Sequence, residues 1–224
     1  MTEAAAAGLK RIREALQSSE MPELPPVLSL APEETPSPQA MVQRFRSEFE
    51  ALGGRFFWEP GSETATDRLS KLLRDGELRR VACFDVPWLT SLVRGAGVEP
   101  FEKDLSVCDV CITTAHMLVA EQGLIVMAAS PWGPRAASSL SPVHIVVAQF
   151  AQLVWGLGDA LARIGEVIED GEMPSDIVFI AGPSRTADIE KTLVIPAHGP
   201  RELCVVLIGE AGPPAEAGAG EEPA

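Results

Sequence analysis

The stretch Leu203-Cys-Val-Val-Leu-Ile208 is apolar at every position. A strand with one wet face alternates apolar and polar residues, whereas an unbroken apolar run is buried on both faces. That is the condition of an interior strand in a parallel or mixed sheet. Working outward, a similar run occurs at Ile177 to Ala181, and strands are also read at Val143 to Ala148, Gly123 to Ala128, Val107 to Thr113 and Val81 to Phe84, with a shorter one at Arg55 to Trp58. Between them lie helical patterns. Ser37 and Pro38 open a helix through Leu52 with Met41, Phe45, Phe49 and Leu52 on one face, stopped by Gly53-Gly54. Further helices are read at Ala65 to Arg74, Pro87 to Arg94 and Leu153 to Ile168. Strands alternating with helices predict an α/β fold, a parallel or mixed sheet covered by helices on both faces. In such sheets ligands bind at the carboxyl ends of strands.

The ends of the chain differ from this middle. Ala4 to Leu16 reads as a short amphipathic helix, followed by Pro22, Pro25, Pro26, Pro32, Pro36 and Pro38. Prolines that dense remove amide donors and favour extended backbone. Residues 1–38 are therefore read as a helix and Pro-rich arm, and 39–210 as the α/β domain. Residues 211–224, small, acidic and rich in Pro and Gly, are read as a disordered tail. The 224 residues carry 32 acidic and 18 basic side chains, a formal charge of −14. That charge repels polyphosphate and anionic membrane surfaces, which weighs against nucleic acid as a partner. No apolar run reaches the length that spans a bilayer, and Met1 to Ala7 lacks the features of an export signal. The expectation is a soluble, cytoplasmic protein.

Two polar clusters follow strands. The first is Asp176-Ile-Val-Phe-Ile-Ala-Gly-Pro-Ser-Arg-Thr-Ala-Asp-Ile-Glu190, read as a buried strand, a Gly182-Pro183 turn and a loop entering a helix. Ser184 or Thr186 would accept hydrogen bonds from the helix's first amides, and Arg185 offers a fork of donors to a carboxylate or phosphate. Asp188 and Glu190 equally suit simple complementation of the helix dipole, so capping and anion binding both stand. The second cluster, His198-Gly-Pro-Arg-Glu202, is a turn before the last strand, where His198 and Arg201 either flank a site or are structural. Three scattered histidines argue against a histidine-rich metal site. Cys108-Asp-Val-Cys111 has redox spacing but no second pair, and is read as structural, its cysteines on opposite faces of a strand. His144, opening an apolar strand, is read as core. Glu121 lies between apolar segments, where an unpaired carboxylate is costly to bury; Arg135 is its expected partner. In a pocket, Glu121 would serve as a base or a carboxylate nucleophile; on the surface, it is a hairpin residue.

With these residues in view, the segment from Asp109 onward resembles the lactate-utilisation protein C family, the LUD-domain proteins. The match rests on Phe179-Ile-Ala-Gly-Pro-Ser-Arg-Thr-Ala-Asp-Ile-Glu190 with its Pro174-Ser175-Asp176 lead, on His198-Gly-Pro-Arg-Glu-Leu203, on Leu140-Ser-Pro-Val-His-Ile-Val-Val147 and on Arg135. The resemblance implies a fold similar to the ribose-5-phosphate isomerase and CoA-transferase group. It also implies a part in oxidising L-lactate to pyruvate beside iron–sulfur partner proteins. Many relatives carry Thr-Gly-Ala-Asp and then Glu-Thr-Gly-Thr; here the stretches are Thr113-Thr-Ala-His116 and Glu121-Gln-Gly-Leu124. The departures fall at Thr114, His116, Gln122 and Leu124, while the glutamate stays.

Three functions remain open at this point. One is a non-redox component of a lactate-oxidising system, since four scattered cysteines do not form the grouped ligands of an iron–sulfur cluster and no dinucleotide fingerprint is present. No cofactor is expected in this chain, with the clusters on its partners. Another is acyl or CoA transfer through Glu121. The third is a module binding a small anion through Arg135, Ser184, Arg185, Thr186, Asp188, His198 and Arg201, compatible with the first.

Overall fold

The computed structural model describes residues 10–11, 36–84, 86–100, 107–128, 141–169, 176–184, 186–187, 193–194 and 199–209. The chain divides into two units, Met1–Leu30 and Ala31–Ala224. In the first only Lys10 and Arg11 are described, both helical. The rest concerns the second.

The second unit opens with a helix, Pro38–Ala51 (α1), whose start is set by Ser37: its Oγ accepts the Ala40 N–H at 3.3 Å, and proline occupies the first turn. Val42, Phe45 and Phe49 are its buried residues, with the two rings stacked at 5.4 Å. Then come β1 (Arg55–Glu59), α2 (Ser62–Asp75), β2 (Val81–Cys83), α3 (Pro87–Gly95) and β3 (Val110–Thr114). These agree with the periodicity to within a few residues.

From β3 on the pattern is richer than the sequence suggests. After a two-residue corner the chain forms β4 (Met117–Val119), turns, and returns as β5 (Leu124–Ala128); β6 (Val143–Gln149) follows. Leu153–Val154 (β7), read as helix, is strand, and the helix α4 (Leu157–Glu169) starts only after Gly156. The Asp159 carboxylate accepts the Gly156 N–H at 2.9 Å and fixes that start. Beyond β8 (Ile177–Ile180) a helix was expected. Instead Thr186–Ala187 (β9) pairs antiparallel with Leu193–Val194 (β10), so no helix begins at Thr186. The chain's last described element is β11 (Glu202–Ile208).

Five strands form one parallel sheet in the order β1-β11-β6-β3-β2. As the unbroken apolar runs require, its central strands bury both faces. Val110, Ile112, Ile145, Val147, Cys204 and Val206 meet Leu69, Leu72, Leu73, Leu89 and Val93 of α2 and α3. On the reverse face Val146, Ala148, Leu203, Val205 and Leu207 meet Phe45 and Phe49 of α1 together with Leu118 and Ile125. The last two belong to a second, mixed sheet, β7-β4-β5-β8, whose outer face packs Met117, Val119 and Val126 on Ala160 and Ile164 of α4. The expected cover of helices on both faces is thus corrected on one side, where a sheet shares the work. The physical reason is visible in β4 and β5: both are apolar on both faces, so they need a layer on each side.

Two glycines fix how this second sheet meets α1. Gly123 has φ +63°, and a Cβ there would lie 2.5 Å from the Phe49 nitrogen. Gly182 has φ +137°, with the Leu52 carbonyl oxygen 2.7 Å from the same position. Only glycine allows this backbone and this approach. Among the described residues, no helix is long and apolar enough to cross a membrane.

Candidate functional site

Because the five strands run one way, their carboxyl ends gather at one edge: Glu59, Cys83, Thr114, Gln149 and Ile208. Helices α2 and α3 leave that edge directly, so their free N-terminal amides point toward it. Glu59 is buried there but already engaged, its Oε1 accepting Arg68 Nε at 2.6 Å.

The corner between β3 and β4 carries the more open chemistry. Ala115 and His116 turn the chain, and the His116 N–H donates to the Val126 carbonyl at 2.8 Å. A 3-10 turn after β6, Phe150–Gln152, is clamped against this corner. Gln152 Oε1 accepts the Gln149 N–H at 2.6 Å, while Gln152 Nε2 donates to the Ala115 carbonyl and, at 3.4 Å, to Thr114 Oγ1. The result is a cavity of about 260 Å³ lined by Trp88, Thr114, Ala115, His116, Gln149 and Gln152. Among the described residues, no carboxylate lines it. The His116 imidazole is held below its ordinary pKa by burial and, second, by the charge of Arg163. Arg163 is steadied on α4 by donating from Nη1 to the Ala151 carbonyl at 3.3 Å. A mostly neutral imidazole, a hydroxyl, a primary amide and a nearby guanidinium suit a small carboxylate.

The described residues singled out from the sequence as ligand-binding or catalytic lie elsewhere. Glu121 sits in the β4–β5 turn, at the opposite end of β4 from His116. Its N–H donates to the Trp155 carbonyl at 2.9 Å and its own carbonyl accepts Arg44 Nε at 3.4 Å. Its carboxylate accepts Gln122 Nε2 at 2.5 Å and lies beside Gly156, one residue before α4, where the helix dipole favours a negative charge. Gln122 Oε1 is buried without a hydrogen-bond partner among the described residues. The Ser184 N–H donates to the Pro200 carbonyl at 3.0 Å, and the Arg201 N–H to the Pro142 carbonyl at 2.8 Å. Both therefore lie near the amino ends of β6 and β11, with the Arg201 side chain exposed. The backbone of Thr186 is in β9. Arg135, Arg185, Asp188 and His198 lie outside the described residues.

Those two turns nevertheless share a neighbourhood. Ile125 pairs with Ile180, which sets Gly123 and Gly182 at the same end of the mixed sheet, both against α1. Neither Glu121 nor Ser184 lines the cavity at the carboxyl edge. His144 is core as expected, fully buried with Nε2 2.9 Å from Thr113 Oγ1. The cysteine reading needs correction: Cys108 precedes β3, so strand alternation does not separate it from Cys111, and both pack in one cluster with Ala82. Trp88, Gln149 and Gln152 gave no sequence signal beyond their place after strands; His116 was visible only as a departure from the family pattern.

The sequence pattern of the LUD domain matches residues 93–208. The chain belongs to the LUD-domain family. The matched LUD segment begins within α3 and includes both β-sheets' central strands, the β3–β4 corner and Gln149; Trp88 lies just before it. Among similar proteins is Lactate utilization protein C of Shouchella clausii, 34% identical over 108 residues, 48% of this chain and 47% of that one. Lactate utilization protein C of Halalkalibacterium halodurans is 29% identical over 164 residues, covering 65% and 71%. This LUD chain thus aligns with about half the length of the first curated relatives. A crystal structure of a DUF162 family protein from Deinococcus radiodurans superposes with a TM-score of 0.59 at 22% identity, covering 78% of this chain and 99% of that one. That likeness bears out the α/β architecture.

Proposed function

We propose that this LUD-domain chain is a non-redox component of an L-lactate oxidation system, acting with iron–sulfur partner proteins and holding a small carboxylate at the corner of Thr114, His116 and Gln149. Membership of the lactate system is supported by the relatives' printed names. The carboxylate site rests on one observation: a cavity at the carboxyl edge of the parallel sheet whose described lining carries no carboxylate, with His116 in it and the Arg163 charge acting on that ring. The Gln149 amide supplies a hydrogen-bond donor to the carboxylate, the Thr114 hydroxyl supplies one by turning from its 3.4 Å bond to the Ala115 carbonyl, and the imidazole supplies another on taking up a proton. Electron transfer falls to the partners, since Cys83, Cys108, Cys111 and Cys204 lack the grouped spacing of cluster ligands.

Calorimetric titration of L-lactate and pyruvate into the full chain tests the site. Saturable binding that weakens about tenfold in His116→Ala and Gln149→Ala supports it, and an absence of binding to the folded wild type removes it. Co-purification with cysteine-rich partners under anaerobic, low-salt conditions tests the assembly.

A second reading keeps Glu121 as the carboxylate nucleophile of acyl transfer. It is favoured by the half-buried position of this side chain beside Gly156, where no neighbouring Cβ covers it. The Glu121 oxygen would attack a thioester carbonyl, forming a glutamyl anhydride as the thiolate leaves. Hydroxylamine trapping after incubation with acetyl-CoA decides this: a Glu121 hydroxamate supports transfer, and its absence excludes it.

A further inference from the structure

The cavity at His116 has a neighbour across Trp88 and Gln149. A second cavity, of about 400 Å³, is lined by Trp88 and Gln149 again, and by Ser62, Glu63 and Thr66 at the start of α2 and Ser91 of α3. The two share a wall and lie along the same edge of the parallel sheet. Together they reach the size range of small-molecule sites, roughly 300–1,000 Å³, which a three-carbon acid underfills.

Their chemistry is opposite. The His116 compartment has no acid among its described lining residues and feels the charge of Arg163. Among the described residues, the second compartment is lined by no Lys, Arg or His, and Glu63 is the one charged residue there. It repels a second anion. Its polar groups are hydroxyls, an amide and one carboxylate, and among the described residues no side-chain hydrogen bond occupies Ser62, Glu63 or Ser91. Thr66 donates its hydroxyl proton to the Ser62 carbonyl at 2.8 Å, which leaves its oxygen as an acceptor. Trp88, Leu92 and Ile208 give the compartment an apolar side.

We infer that the two compartments take one elongated ligand, a linear polyhydroxy carboxylate, with its acid group at His116 and its hydroxylated tail along Ser62, Glu63 and Ser91. The inference rests on the carboxylate site proposed above. Hydroxyls on the tail donate to Glu63 and Thr66 and exchange hydrogen bonds with Ser62 and Ser91, while its C–H face lies on the Trp88 indole. A shorter acid fills the first compartment and leaves the second to water.

The test is a set of calorimetric titrations of the full chain with D-gluconate, L-lactate and the neutral polyol sorbitol. Gluconate binds at least tenfold tighter than lactate, and sorbitol weaker than gluconate. Two surface variants, Glu63→Ala and the space-filling Ser91→Trp, lower gluconate affinity about tenfold and leave lactate affinity unchanged; His116→Ala weakens both acids. Lactate binding with no advantage for gluconate, or variants that affect both acids alike, overturns the second compartment while the carboxylate site stands. Binding of neither acid by folded protein overturns both.

Discussion

Thr113 Oγ1 and His144 Nε2 lie 2.9 Å apart between β3 and β6, fully enclosed, and the other ring nitrogen, Nδ1, has no partner among the described residues. Burial pushes this imidazole down to about 4. The unfolded chain binds the proton near 6.5, so between these values the unfolded state holds more protons than the folded one. Stability is therefore fully present above about pH 6.5 and is lost as pH falls toward 4, by about 3 kcal/mol in order of magnitude. Urea midpoints measured from pH 7.5 to 4.5 should show this loss. A His144→Leu variant should show a flatter profile over the same range, and an unchanged slope would contradict the assignment. Thr113→Val, which strands the second ring nitrogen, should cost about 1–3 kcal/mol at neutral pH.

Gly123 and Gly97 separate strain from collision. Both have positive φ, 63° and 85°, but only at Gly123 would a Cβ meet the α1 backbone, while at Gly97 it meets nothing within 4 Å. Gly97→Ala should cost roughly 1–2 kcal/mol for the left-handed backbone alone. Gly123→Ala should cost more than that, because α1 and the β4–β5 turn must also move apart. Equal losses in thermal unfolding would show that α1 does not pack on this turn as described.

Asp109 joins the starts of β2 and β3. Its Oδ2 accepts the Arg79 and Arg80 N–H groups at 3.1 and 2.8 Å, and its Oδ1 accepts Arg80 Nη2 at 2.6 Å. The Arg80 side chain is the leading cause, with the backbone amides adding to it, that lowers this carboxyl to about 2. The stability it contributes is present above its unfolded pKa near 4 and lost as pH falls toward 2. Asp109→Ala should cost about 1 kcal/mol, the net worth of the hydrogen bonds lost at this exposed junction. Salt should erode part of that loss, because the exposed Arg80 side chain is the leading partner while the two backbone amides are not screened in the same way. A loss abolished by 1 M NaCl would mean the ion pair carries the effect instead.

How far these features were legible in the sequence follows from how local their causes are. Unbroken apolar runs such as Leu203 to Ile208 identified the interior strands because burial on two faces is written into every position. Ser37-Pro38 located the first helix because capping is decided within four residues. The second sheet was largely hidden: β4 is three residues long, and β7 carries the same apolar residues as the helix after it. What separates β7 from α4 is Gly156 with its Asp159 contact. The hairpin β9–β10 replaced an expected helix because Ser184, Thr186 and Asp188 serve turns and strands as readily as caps. At the site, the rule that ligands bind at carboxyl ends pointed to the edge where the proposed cavity lies. The residues there come from α3, β3, β6 and a 3-10 turn, far apart in sequence and without a shared motif. Glu121 attracted attention as a carboxylate among apolar residues. Its surroundings supply a local reason for it, the start of α4.

The central claim is most directly tested by following the His116 ring by NMR as pH is varied, with and without saturating L-lactate. The chain has only three histidines, so His116→Ala assigns the signal by its disappearance. Without ligand the ring should titrate below 6.5, as burial and Arg163 require. A carboxylate placed against it should raise that midpoint by about one unit or more, through an opposite charge at contact distance, and affinity should correspondingly rise as pH falls toward 6. A His116 titration that lactate leaves unmoved, in protein that is folded throughout, would contradict the account.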